Sequence, residues 1–501
     1  MDLLSYFLTT LFSMLARNIS VTCISTAFIG DDLHYYEPLT YNPQAIRMHQ
    51  RRHKRSNSNQ NDFDKVKISF FAHNQEFRLH LKRDYSIFHN NMKIHDGTNQ
   101  HVPLNHDTLN LYDGIVESSL SSSNGYCFGS ISDGIFDGQL LTEEGTYYVT
   151  KIPPSMSHVL NYTVHSIIYN EKHVKMTTQD GAHTCGVKDS GNKWMDEVES
   201  FDNDVDVEDQ KKNMNIAHMD VKTTVKAQQA QYRPKREVTS DNKVSSRKLC
   251  SLYIRTDGML WDAIEQEERT RGANEKTMAK ITELVHRHVK KLNLIMENTF
   301  FSNKINTVVF QIVKLEILNS TYPFCKPFCD RNLDSSPFLD VQSQKDHSEY
   351  CLAYAFTYRD WTEGTLGVAW IAGLNQAGGI CENHQRVSLV KGFRSRNTGV
   401  VTLKNSGRRI PIPKSELTFA HEVGHNLGSP HDESSKCLPE KNGKYLMYPY
   451  SNSGNLPNHG KFSECSKEKI GVVFDEMKRL DGCLENFDGS FCGDGILDDG
   501  M

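Results

Sequence analysis

The sequence predicts an α/β domain of about 250 residues preceded by a mostly β unit. Three observations carry that reading. Short alternating stretches separated by Gly-containing turns fill roughly residues 66 to 170. A polar segment follows, in which eight of the fourteen residues from Asp196 to Asp209 are acidic. Beyond it, apolar runs of strand type alternate with apolar residues at helical spacing.

Taken from the N-terminus, the first element is the apolar run Leu3 to Leu15, LLSYFLTTLFSML. It is too short to span ~30 Å of hydrocarbon and reads as a secretory signal over 1–27, with Ser25 and Ala27 as the small residues of a cleavage site. A buried N-terminal helix is the alternative. The sequons at Asn161 and Asn319 agree with export. No later segment is apolar enough to cross a bilayer, so the chain reads as lumenal or extracellular, where its twelve cysteines can form disulfides.

Val66-Lys-Ile-Ser-Phe70 and Phe77-Arg-Leu-His-Leu81 alternate as half-buried strands do. The acidic segment and the Gln-rich stretch after it read as a linker ending at Arg233-Pro-Lys235-Arg236. Leu252 to Ile254 reads as a strand, and Met278, Ile281, Val285, Leu292 and Ile295 mark one face of a long helix. Residues 308–318 form a buried strand, with further strands at Leu352–Thr357, Gly367–Ala372 and Gly399–Leu403. A net charge of −5 provides no field for nucleic acid, which is excluded as a partner.

Residues 418–432, TFAHEVGHNLGSPHD, contain H-E-x-x-H-x-x-G-x-x-H at His421, Glu422, His425, Gly428 and His431. Histidines four apart lie one turn apart on one helix face, so His421 and His425 can share one ion. Gly428 can take the positive φ that ends the helix and brings His431 round as third ligand. Three protein ligands leave a tetrahedral position open, as in catalytic rather than structural zinc sites. H-E-x-x-H alone arises by chance in about one such chain in 20; the added Gly and His lower that to roughly 10⁻⁴. Tyr445-Leu-Met447-Tyr follows at the position of a turn whose thioether packs beneath the metal, though a lone Met is more often core filler.

HEVGHNLGSPHD with this Met-turn resembles the ADAM branch of the metzincins, the disintegrin metalloproteases. Asp346-His-Ser-Glu-Tyr-Cys351-Leu-Ala-Tyr, Leu366-Gly-Val-Ala-Trp370, Gly378-Gly-Ile-Cys381-Glu and Leu417-Thr-Phe-Ala resemble the Kuzbanian-type alpha-secretase branch in particular. The resemblance covers most of 28–501 and is strongest over 346–432. It implies a metzincin zinc-protease domain at 237–484, a mixed twisted sheet with an active-site helix. That domain would be preceded by a propeptide at 28–236 and followed by the start of a disintegrin domain at 485–501, truncated after Phe491-Cys-Gly-Asp-Gly.

By the same resemblance the activity is that of a latent zinc endopeptidase, a sheddase that cuts juxtamembrane bonds of transmembrane proteins such as Notch-type receptors at the cell surface. The family's single-pass anchor lies outside this chain. One catalytic Zn²⁺ is implied, and calcium is left open. Glu422 is the general base, Asp432 braces the chain after His431 or is a plain helix-end charge, and Gly364-Thr365-Leu366-Gly367 matches the edge strand that pairs with substrate.

Thr184-Cys185-Gly-Val-Lys-Asp189 is similar to the cysteine-switch segment of metalloprotease propeptides, making the chain's own propeptide its inhibitor. A thiolate can fill the fourth zinc position and exclude water. Arg233, Lys235 and Arg236 resemble a furin-type cleavage site; the basic run 51–55 is a second candidate.

The implied disulfides are Cys250–Cys351, Cys381–Cys483 and Cys437–Cys465, with Cys325 and Cys329 closing a small loop. Cys23 belongs to the signal segment, Cys492 to the disintegrin part, and Cys127 has no assigned role; a Cys127–Cys185 bond would remove the switch thiol. Pro449 resembles the tumour-necrosis-factor-convertase branch, a second reading, and a non-catalytic adhesion or decoy protein on the same scaffold is a third.

Overall fold

A computed structural model describes residues 32–55, 66–96, 101–102, 109–152, 164–175, 247–268, 273–322, 326–374, 377–387, 392–432, 437, 441–450 and 454–487. Cys185, Arg233, Lys235, Arg236, Asn161, the signal segment, the acidic linker and the disintegrin segment fall outside them.

The described N-terminal part starts with β1 (Glu37–Leu39) and α1 (Pro43–Arg55). Strands β2 (Val66–Ala72), β3 (Gln75–Arg83), β4 (Phe88–His95), β5 (His101–Val102), β6 (Leu111–Ser118), β7 (Gly125–Ser132), β8 (Ile135–Thr142), β9 (Gly145–Lys151) and β10 (Ser166–Asn170) follow. All but β4 and β5 make one antiparallel sheet in the order β1-β10-β9-β8-β7-β6-β3-β2. Strict alternation buries Val66, Ile68, Phe70 and Ala72 on β2 against Phe77, Leu79 and Leu81 on β3, because every second side chain faces the same side.

The second part starts with β11 (Arg247–Thr256), α2 (Gly258–Glu268), α3 (Asn274–Glu297) and β12 (Thr307–Ile317). Next come α4 (Ser335–Ser343), β13 (Leu352–Thr357), β14 (Gly367–Ala369), the small hairpin β15 (Gln385–Val387) and β16 (Gly392–Arg394), and β17 (Thr398–Thr402). The chain then runs through α5 (Ile412–Asn426) and α6 (Glu464–Glu476). β11, β12, β13 and β17 pair in parallel, and β14 closes one edge antiparallel to β17. Parallel strands are covered on both faces, which is why Leu352–Thr357 is buried at every position. The helix predicted from Met278 to Ile295 is α3, and its apolar side packs on β12.

One expectation is corrected. The strand expected over Gly367–Ala372 ends at Ala369, because the chain turns toward α5, where the N–H of Ala372 donates to the carbonyl of His425 at 3.1 Å. Residues 66–170 are mostly β, as expected, but their strands do not all join one sheet. β4 pairs in parallel with β12, so the second sheet runs β14-β17-β13-β11-β12-β4-β5, and Ile87, Phe88, Met92 and Ile94 are buried in the core of the second part.

Candidate metal centre

α5 starts at Ile412 with Pro413 in its first turn, where a missing N–H costs nothing. It carries His421 and His425 on one face, both buried. The helix ends at Asn426. Gly428 follows with φ of +110°, a conformation side chains resist, and a Cβ there would meet Val473 Cγ2 at 2.5 Å. The turn brings His431 back, so that ligand-type nitrogens of His421, His425 and His431 all lie within 4.8 Å of one another.

Hydrogen bonds fix the tautomers of two rings. His421 Nδ1 lies 2.7 Å from the Leu446 carbonyl and His425 Nδ1 2.8 Å from the Ser429 carbonyl. A carbonyl only accepts, so each Nδ1 carries the proton and each Nε2 presents a lone pair. Those two Nε2 atoms are 3.1 Å apart. Among the described residues the buried His431 Nε2 has no hydrogen-bond partner. Two facing lone pairs and an orphaned third nitrogen repel or are wasted unless a cation sits among them, which is the donor set of a three-histidine zinc site. Burial lowers the pKa of His421 to about 3 and of His431 to about 4, and that of His425 well below its ordinary value, with neighbouring imidazoles adding to the first and last. All three stay neutral, as ligation requires.

Glu422 is fully buried on the same helix, and a Cβ on Gly367 would come within 2.6 Å of its Oε1. The start of β14 therefore lies directly against this carboxylate. Among the described residues β14 ends its sheet, with β17 as its one neighbour. Of the expected substrate segment, Gly367 lies in β14, Leu366 accepts a ladder bond from the Thr402 N–H at 2.9 Å, Thr365 is buried, and Gly364 ends a 3₁₀ turn.

Met447 is fully buried, and its Sδ lies 2.4 Å from where a Cβ on Gly424 would stand. The thioether thus packs under α5 between the two helical histidines. Asp432 Oδ1 accepts from Ser463 Oγ at 2.6 Å and Ser466 Oγ at 3.0 Å, and its N–H donates to the Met447 carbonyl at 2.9 Å. Ser463 is the N-cap of α6, so Asp432 ties the third histidine to both the Met-turn and that helix.

A family model described as Metallo-peptidase family M12B Reprolysin-like matches residues 278–476. Disintegrin and metalloproteinase domain-containing protein 10 of Homo sapiens is 32% identical over 487 residues, covering 93% of this chain and 59% of the relative. The Bos taurus protein of that name is 31% identical over 482 residues with the same coverages, and the Caenorhabditis elegans homolog is 31% identical over 515 residues, covering 93% and 53%.

This chain belongs to the ADAM family of metalloproteases. It spans a little over half the length of the relatives it matches. In this ADAM chain Cys250 is bonded to Cys351, Cys381 to Cys483 and Cys437 to Cys465. Cys329 is also disulfide-bonded, Cys325 lying outside the described residues, and Cys127 is a buried free thiol, so it forms no bond with Cys185. Asn319 accepts from the hydroxyl of Thr321 at 2.9 Å within its sequon. No helix among the described residues is long and apolar enough to cross a membrane.

Sequence reasoning did not single out Gly424, the Leu446 and Ser429 carbonyls, or Glu416 on α5. Gly424 carried a signal, an isolated glycine inside a helical pattern. The carbonyls carried none, since any residue supplies one.

Proposed function

We propose that the chain is a zinc-dependent endopeptidase of sheddase type, made latent by its own propeptide at 28–236, that cuts juxtamembrane peptide bonds of cell-surface proteins. The observation that carries the reading is the convergence of His421, His425 and His431 beside the buried carboxylate of Glu422 and a sheet edge on which no further strand lies among the described residues. One zinc ion held by the three imidazoles would supply Lewis-acid chemistry, lowering the pKa of bound water and polarising the scissile carbonyl.

The chain's residues do the rest. Glu422, in the tight space against Gly367, takes the proton from the attacking water and returns it to the leaving amine. The outer edge of β14 with Leu366 and Gly367 pairs with an extended substrate backbone, fixing register without demanding a sequence. Met447 and Asp432 hold the histidines in place. Cys185 provides the thiol of the latent state, and Arg233, Lys235 and Arg236 form the cut site for a furin-type convertase. The substrates are transmembrane proteins, Notch-type receptors among them.

The intact glutamate and three histidines count against a non-catalytic scaffold. The test is hydrolysis of fluorogenic peptides by the chain cut after Arg236, with and without a hydroxamate. Glu422→Ala is expected to keep zinc and lose cleavage; turnover retained in that variant contradicts the assignment.

A further inference from the structure

Besides lying over α3 and α5, the N-terminal part meets the metalloprotease domain at the sheet edge farthest from the zinc site. Residues 84–95 dock there as a turn, closed by the Phe88 N–H on the Tyr85 carbonyl at 2.9 Å, that leads into strand β4. The N–H of Ile312 donates to the Ile87 carbonyl at 2.7 Å, and β4 then runs parallel to β12, with Lys314 opposite Lys93 and Glu316 opposite His95. Ile87, Phe88, Met92 and Ile94 enter the same apolar cluster as Leu292 and Ile312. A charge anchors the front of the segment. Lys290 on α3 is fully buried, its Nζ 2.5 Å from Asp84 Oδ2, 3.2 Å from Asp113 Oδ2 and 3.2 Å from Ser86 Oγ, while Gln311 Nε2 donates to the Ser86 carbonyl at 2.8 Å. Both carboxylates come from the part ahead of residue 237.

Removing that part would bare the β12 edge from Ile312 to Glu316, four apolar positions and an ammonium group whose carboxylate partners have left. Exposed edges of this kind take up another strand, and polar anchors beside apolar positions give such pairing its selectivity. We propose that in the severed protein the β12 edge and the Lys290 end of α3 form a second peptide-binding site, separate from the cleft. Its ligand is an extended polypeptide segment bearing a carboxylate followed, three to ten residues on, by apolar side chains at the spacing of Ile87, Phe88, Met92 and Ile94. The proposal rests on the reading that the chain is cut near Arg236.

The test uses the full chain with residues 233–236 replaced by the recognition site of a sequence-specific protease, tethered by its C-terminus and nicked with both parts retained. A synthetic peptide of residues 82–95 is added, and the N-terminal part still bound at equilibrium is measured. The peptide is expected to lower retention at least tenfold, an Asp84→Asn peptide to need at least tenfold more for the same effect, and a scrambled peptide to do nothing. Lys290→Met in the chain is expected to lower retention without peptide. Retention unchanged up to millimolar peptide, or equal displacement by the scrambled sequence, overturns the site. Fluorogenic cleavage in the same samples separates the two readings: displacement without hydrolysis sinks the enzyme reading and leaves this site standing, whereas unchanged retention, with hydrolysis appearing only once prolonged digestion has destroyed the N-terminal part, overturns the site and leaves the enzyme reading standing.

Discussion

His421 and His425 each spend their Nδ1 proton on a backbone carbonyl, so their metal-facing nitrogens are set before any ion arrives. That pre-orientation depends on tight packing beneath α5. Gly424→Ala would drive a methyl group into Met447 Sδ and is expected to cost about 1–3 kcal/mol, together with weaker zinc binding. Thermal unfolding and zinc titration check this; unaltered values in both would show that the sulfur yields without consequence. The histidine cluster was legible because a helix repeats every 3.6 residues and H-E-x-x-H encodes that repeat. The close contacts of Gly367 with Glu422 and of Gly424 with Met447 were not, because each joins residues tens of positions apart in the chain.

At the scale of elements, α3 and α5 face the N-terminal sheet with polar side chains. Glu416 on α5 is fully buried there, with Gln139 Nε2 at 2.5 Å, Tyr148 Oη at 3.4 Å and Arg287 Nε at 3.7 Å. Burial pushes its carboxyl up to about 7, against smaller lowering by Arg287 and its other neighbours. A raised carboxyl pKa means that the folded assembly takes up a proton that the unfolded chain would release. Its contribution to stability is therefore full below the ordinary value of 4.5 and is lost as pH rises through about 7. Glu416→Gln is expected to flatten the stability profile between those values. Denaturant midpoints of both proteins across pH 4.5–8 test it, since other groups such as His286 are common to both; parallel profiles contradict the assignment.

Element identity was legible here where periodicity was strong, as in β2, β3 and α3. Partner choice was not. Nothing in Phe88-His-Asn-Asn-Met92-Lys-Ile94 states that its strand joins β12 rather than its neighbours in sequence, because strand pairing is settled by non-local packing.

Across the whole molecule, three disulfides tie the metalloprotease domain at β11 and β13, at the turn before β15 and at the start of α6, while the first sheet lies over α3. The histidine cluster sits inside this frame, so zinc binding there would favour the folded state. At free zinc 100-fold above Kd the stabilisation is about 2.7 kcal/mol. Chelation is accordingly expected to lower the Tm of the chain, and His425→Ala to abolish the difference between chelated and zinc-loaded samples. A mostly β part followed by an α/β part was readable from composition shifts and alternating patterns, and the protease fold from the resemblance carried by the histidine motif. The shared sheet was not, because a boundary drawn from composition cannot register a strand that crosses it.

The account turns on three neutral imidazoles gathering around one dication. Metal analysis of the purified chain after equilibration with zinc and removal of the excess is its most direct test. About one zinc per chain, falling to none in His425→Ala with the fold retained by circular dichroism, is the predicted result; a zinc-free native chain, or full zinc in the variant, would contradict it.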